Sequence, residues 1–426
     1  MNLNNTKSKL LILLVAFNAF VTFSQEIEMM DGYVEGDDDT NQYSNNKIAT
    51  SVDEIILYDQ YKTIWGNEKI TKDALIILSG NGEILSYNLE TQEENWKFQF
   101  TDSSYNKMRN SFNIENAILY ASSTQIELVA LNVNDGSLYW KTELGQQNEI
   151  TRRYWINGQE LPIKKDLIYL ASGNKNLYAF NKLTGDLAWN YELQFPYNNY
   201  TPAIHNDYLI IPNAPWVYCF EASTGKPIWQ RGFGNKPMYT TPQIDDKYAY
   251  VADENNIIYA LNLENNAAIM WEYQTDYEYA DIDEKTILEN GVYYFGTKTG
   301  REDPPAVVAL NSKDGSLIWR TVLSNEGNEI KVFKKFTNYI LGFTDSESKS
   351  FYLIETETGE QIMIADPKEK AVSNIVKIDD EHLAFLTRNY LVTFNLNTKK
   401  FTYKEAQLDY KLDESFGVHI EIIKTE

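Results

Sequence analysis

The sequence predicts an all-β chain folded as a β-propeller of four-stranded blades, eight in number, with seven as the alternative count. Three observations predict it. One phrase of eleven residues recurs along the chain, in its clearest copy A-F-N-K-L-T-G-D-L-A-W at 179–189. Seven intervals separate Trp96 from Tyr403, a mean period of about 44 residues, which is the span of a four-stranded propeller blade. No long apolar segment of period 3.6 follows the N-terminus, so helix content is expected to be low.

Taken in order, residues 1–24 read as a secretory signal peptide. Lys7 and Lys9 precede the apolar run from Leu10 to Phe17, and Ser24-Gln25 offers a cleavage point after a small residue. The run is too short and too weakly flanked for a stable membrane anchor. No cysteine lies near it, so a lipidated N-terminus is excluded. Residues 25–50 read as an acidic flexible linker. Asp37-Asp38-Asp39 lacks the alternating carboxylates and distal Glu of a calcium loop, so no metal is assigned there. Residues 51–426 read as one propeller domain, with the strand-like stretch Asp53–Tyr58 expected to close the ring against the chain's other end.

The copies of the phrase end at Trp96, Trp140, Trp189, Trp229, Trp271 and Trp319, then at Met363 and Tyr403 in two worn copies at 353–363 and 393–403. Each unit supplies strands of β-branched and aromatic residues, such as L-I-Y-L-A at 167–171, and a T-G or D-G step marks a tight turn because glycine tolerates positive φ. The innermost strands are expected at the segments 200–204, 239–243 and 279–283. The six tryptophans are read as structural. A single blade cannot bury both faces of its sheet, and stacking blades buries one large aromatic per junction.

Composition narrows the function classes. The net charge is −23, and cleavage after residue 24 would remove two lysines and no acid. Such a surface disfavours nucleic acid. Cys219 is the only cysteine, so no intrachain disulfide forms, and its strand phrase reads as a small buried hydrophobe. His205, His382 and His419 fall in different repeats with no metal-ligand spacing. The pair Asp281 and Asp283 reads as a solvated strand face. No catalytic residue, cofactor-binding residue or metal ligand is assigned.

One constellation points to binding. Tyr200, Tyr239 and Tyr279 each come shortly after a blade tryptophan, and Tyr154 and Trp155, preceded by Arg152 and Arg153, occupy a comparable place. Either these side chains cover blade edges, or they surround one mouth of the central channel and present the aromatic and arginine groups typical of recognition surfaces.

The pattern (A/S)-(L/F/Y)-(N/E)-x-x-(T/D)-G-x-x-x-W, in phase over about 70–403, resembles the pyrroloquinoline-quinone-type propeller repeat. That repeat occurs in quinone-dependent dehydrogenases and in BamB, the non-enzymatic propeller subunit of the outer-membrane β-barrel assembly machinery. The resemblance implies the fold, and fold alone does not choose between these roles. The dehydrogenases typically hold their quinone between a Trp and a vicinal disulfide, with a bound calcium; a single Cys219 rules out that disulfide. The assembly subunit is typically a lipoprotein, from which this N-terminus departs. The expectation is therefore an exported, non-catalytic, monomeric scaffold without cofactor. It would bind a protein partner in the periplasm, at the cell surface or outside the cell. A quinone-dependent dehydrogenase and a carbohydrate- or peptide-binding propeller are the alternatives.

Overall fold

The computed structural model describes residues 55–57, 69–79, 82–101, 112–123, 127–144, 161–172, 175–195, 200–238, 240–275, 280–299, 304–323, 327, 329–346, 350–406, 408 and 418–425. The chain divides into two compact units, Met1–Asn45 and Asn46–Glu426, and the described residues lie in the second.

Eight antiparallel sheets form an eight-bladed β-propeller, and no helix occurs among the described residues. In each blade the strands are lettered a to d from the axis outward. Blade 4 shows the plan, with a at Ala203–His205, b at Tyr208–Asn213, c at Trp216–Glu221 and d at Pro227–Gly232. Strand a of blades 2, 3, 5, 6, 7 and 8 is Phe112–Glu115, Ile163–Lys164, Gln243–Ile244, Ala280–Glu289, Ile330–Phe336 and Val376–Lys377. Each is followed by three strands, ending at d strands Leu138–Leu144, Leu187–Glu192, Ile269–Gln274, Leu317–Val322, Gln361–Ala365 and Lys400–Glu405.

Blade 1 closes the ring differently from the expectation. Its outer strands come from the N-terminal side, Ala74–Leu78, Glu83–Asn88 and Glu94–Gln99, but its strand a is the C-terminal His419–Ile423. That strand pairs with b from Ala74↔Ile423 to Leu78↔His419. The Asn374 side chain of blade 8 pins it by accepting from the Ile420 N–H (2.7 Å) and donating to the Ile420 carbonyl (3.1 Å). Ile55–Leu57, expected to close the ring, instead pairs antiparallel with the outer edge of blade 2 as a fifth strand. The b strand of blade 1, A-L-I-I-L, is buried at every position and is apolar on both faces, so its inner edge needs a strand of the same kind. H-I-E-I-I at the other end of the chain is such a strand. The last worn copy supplies strands c and d of blade 8, which makes the count eight.

The core is not one cluster. Among the described residues it forms eight, one at each junction between neighbouring blades, and each contains residues of both blades. The recurring phrase encodes these junctions. Its asparagine, at 88, 132, 181, 262, 311 and 395, accepts backbone N–H bonds from the residues two or three ahead and nucleates the c–d turn. Its small first residue stands directly across from the tryptophan, as Ser86, Ala130, Ala179, Cys219, Ala260 and Ala309. Cys219 is therefore one member of a series of small residues facing an indole. In blade 7 a larger Leu353 stands across from the slimmer Met363.

Each of the six tryptophans is buried and donates its indole N–H to a backbone carbonyl of the next blade, Trp189 to Ala222 at 3.0 Å for example. The turn glycine of that next blade lies against the ring. At Gly225 the backbone has φ +72, and an added Cβ would come within 2.5 Å of the Trp189 ring. In blade 5 the inserted residue remakes the turn, and Ala267 takes the positive φ (56). The seals therefore run from junction 1–2 to junction 6–7. Junction 7–8 is filled by a phenylalanine cluster, with Phe343–Phe385 and Phe351–Phe401 edge to face.

Candidate functional site

The b strands fix which residues stand at the same height around the axis. At the level of Ile76 these are Glu421 in blade 1, Asn113 in blade 2, Ala203 in blade 4, Gln243 in blade 5, Ile287 in blade 6, Lys334 in blade 7 and Val376 in blade 8. Glu421 is the acid of this level and Lys334 the base. Burial holds the Glu421 carboxyl above the usual carboxylate range, opposed by the Ile422 backbone hydrogen bond and by the Lys334 charge. Next along the same strand, His419 packs edge to face on Phe112 of blade 2, with ring centroids 4.8 Å apart.

Of the residues singled out in the sequence, Arg152, Arg153, Tyr154, Trp155, Tyr239 and Tyr279 lie outside the described residues. Tyr200 is half-buried and packs on the cluster between blades 3 and 4. The histidines do not converge. His205 bonds Asp246 at 2.6 Å and His382 bonds Asp379 at 2.9 Å, each at the surface of its own junction or turn. Asp281 and Asp283 belong to strand a of blade 6.

A cleft of roughly 500 Å³ opens between blades 6 and 7, where their a–b turns meet the c–d turn of blade 7. Val292, Tyr294 and Ile318 line it with apolar surface, and Glu289, Lys335, Thr356 and Glu357 with polar surface. Lys335 bonds Glu289 at 2.8 Å and donates to the Thr337 carbonyl at 2.8 Å. At junction 2–3 the positions of Thr356 and Glu357 are held by Lys182, which reaches Glu115 at 2.7 Å, and by Leu183, which packs into the core. At junction 6–7 Thr356 is shorter than Lys182 and Glu357 is exposed, and both line the cleft.

The outer strand beside this cleft is unusually apolar. The residue just before the blade tryptophan is Ile228, Met270 and Ile318 in blades 4 to 6, and Ile362 precedes Met363 in blade 7; these four are 39–47% exposed. Sequence reasoning missed both the cleft and this series. Its signal lay inside the phrase, in P-I-W, I-M-W, L-I-W and Q-I-M against E-N-W in blade 1.

Neither Cys219 nor any of the six junction tryptophans is placed to hold a quinone. Cys219 is wholly buried across from Trp229, and the six junction tryptophans have their rings packed against the next blade. Among the described residues no three His, Cys, Asp or Glu side chains group as a metal site.

The family described as outer membrane protein assembly factor BamB matches this chain over residues 80–215 and 199–402. The chain belongs to that family. Among solved structures, BamB from Moraxella catarrhalis is similar with a TM-score of 0.56 at 16% identity, covering 79% of this chain and 96% of that one. A europium-containing methanol dehydrogenase gives 0.57 at 11% identity, covering 78% and 84%. The computationally designed Ika8 protein gives 0.58 at 9% identity, covering 80% and 98%. No curated protein matches the sequence. At these identities the structural likenesses carry the fold, and membership of the BamB family rests on the match along the repeats.

Proposed function

We propose that this protein is an exported, non-catalytic β-propeller scaffold that binds protein partners in the bacterial cell envelope. The observation that carries this reading is the match to the BamB family across most of the ring. The leader-like residues 1–24 support export, to the periplasm, the cell surface or the medium, and the net charge of −23 supports a protein rather than a nucleic-acid partner. In this reading Arg152, Arg153, Tyr154, Trp155, Tyr200, Tyr239 and Tyr279 contribute to partner contact, and the ring works as a monomer. The likeness to a methanol dehydrogenase favours a second reading, a quinone-dependent enzyme.

One experiment separates them. The full gene is expressed in a Gram-negative host, cells are treated with a membrane-permeant cross-linker, and the purified chain is titrated calorimetrically with pyrroloquinoline quinone and calcium. The scaffold reading expects a processed N-terminus after about two dozen residues, a discrete cross-linked envelope protein, and no saturable quinone binding. Quinone binding with dye reduction by an alcohol would overturn it.

A further inference from the structure

We propose that the outer edge of blade 6, with the cleft at its junction with blade 7, is a docking site. Its occupant is an extended segment of a partner protein that pairs as a fifth strand and carries apolar side chains next to a lysine or arginine. The proposal rests on the scaffold reading and adds a place and a chemistry to it.

At blade 2 an apolar strand, Ile55–Leu57, pairs antiparallel with Thr142, Glu143 and Leu144 of strand d. There the residue before the tryptophan, Tyr139, is 2% exposed, whereas its counterpart Ile318 in blade 6 is 47% exposed. The edge of a blade in this ring thus accepts a fifth strand. The positions of blade 6 that correspond to the paired residues of blade 2 are Thr321, Val322 and Leu323.

Native sheets guard free edges with charge, which resists pairing with other strands. Blade 1 does so with Glu94 and Lys97, and blade 8 with Lys400, Lys404 and Glu405, all exposed. Blade 6 instead exposes Leu317, Ile318 and Val322, with Arg320 as the one exposed charge among them. An edge with three exposed apolar side chains and a single charge is the feature expected where strand addition is used for recognition.

Ile318 is both part of this edge and a wall of the cleft, so the two surfaces are continuous. The cleft brings two carboxylates, Glu289 and Glu357, against one ammonium, and Lys335 is already committed to Glu289 and to the Thr337 carbonyl. Glu357 is exposed and has no ion-pair partner among the described residues. A cation brought by the incoming strand completes the set, and the acidic chain as a whole steers such a segment toward it.

The test uses the full purified chain and two fluorescein-labelled peptides followed by anisotropy. One is Gly-Lys-Val-Thr-Ile-Thr-Val-Lys-Gly, and the other has glutamate in place of both lysines. The lysine peptide is expected to bind saturably and the glutamate peptide at least about tenfold more weakly, a difference of about 1.4 kcal/mol. Ile318→Asp is expected to weaken the lysine peptide about tenfold or more. Glu357→Gln, which cannot disturb the core, is expected to weaken the lysine peptide alone, and Thr402→Asp on the edge of blade 8 to leave both titrations unchanged. Equal binding of the two peptides, indifference to Ile318→Asp and Glu357→Gln, or no saturable binding overturns the proposal. A dimer that Ile318→Asp dissociates, with no peptide bound, overturns it in favour of a second copy of this chain. Envelope cross-links that map elsewhere on the ring, together with a failed titration, would sink this site and leave the scaffold reading standing.

Discussion

Trp189→Ala is expected to destabilise the ring by about 4 kcal/mol, and the structure allows the figure to be assembled. Trp189 is buried at junction 3–4, beside Tyr169 at 5.9 Å between ring centroids and under the turn of Gly225. Removing a tryptophan exchanges roughly 200 Å² of buried apolar surface for a cavity. At about 25 cal/mol per Å² this is ~5 kcal/mol, reduced to ~3–4 because the unfolded chain keeps part of that surface covered. The indole N–H to the Ala222 carbonyl is also lost, but the Tyr169 hydroxyl donates to the same carbonyl at 3.1 Å and keeps it satisfied. That contribution is therefore the ordinary net value of one hydrogen bond, ~1 kcal/mol. The sum lies within the ~3–5 kcal/mol of other large-to-small aromatic changes. Urea unfolding followed by circular dichroism measures it. Trp189→Phe, which keeps most of the surface and loses only the donor, should cost ~1–2 kcal/mol. If Trp189→Ala came within ~1 kcal/mol of wild type, the tryptophans would not be the seals between blades, and the reading of the phrase would be wrong.

Gly225→Ala should be nearly as damaging, since the new methyl group meets the Trp189 ring in a left-handed backbone, whereas Ala267→Gly in blade 5 should cost little; urea midpoints of the two compare them directly. Deleting residues 418–426 should abolish the cooperative transition and leave an aggregating chain, because the inner edge of blade 1 loses its strand, while deleting residues 1–58 should leave the ring folded; a soluble, cooperative C-terminal truncation would contradict the closure. For Glu421 the folded chain binds the proton more tightly than the unfolded chain does. The resulting stability is complete below the ordinary glutamate range and is lost as pH rises through the raised folded-state pKa. Glu421→Gln should therefore melt higher than wild type at pH 8 and close to it at pH 4, and a lower melting point at pH 8 would mean that attraction to Lys334 outweighs burial. Burial also pushes the Cys219 thiol far up, so it should resist a disulfide reagent until the ring unfolds, and rapid labelling of the native protein would refute its placement across from Trp229.

The sequence by itself determined the repeat and nearly everything local to it. Asn181, Gly185 and Trp189 recur at fixed spacing because each c–d turn must be nucleated, must bend through positive φ and must deliver an indole to the next blade. These are short-range demands, and they leave a periodic trace. The small residue across from each tryptophan was in the phrase as well, but its reason appeared only once the register set Ala179 opposite Trp189. Ring closure was not legible, because H-I-E-I-I and I-I-L are equally good edge strands in isolation. Their partners are chosen by which sheet edge each reaches, 345 residues away for Ile76 and Glu421 and under 90 for Leu57 and Thr142. The cleft between blades 6 and 7 belongs to the same class. Glu289, Ile318, Lys335 and Glu357 share no motif, and only the stacking of two blades brings an apolar edge and an unbalanced carboxylate to one place.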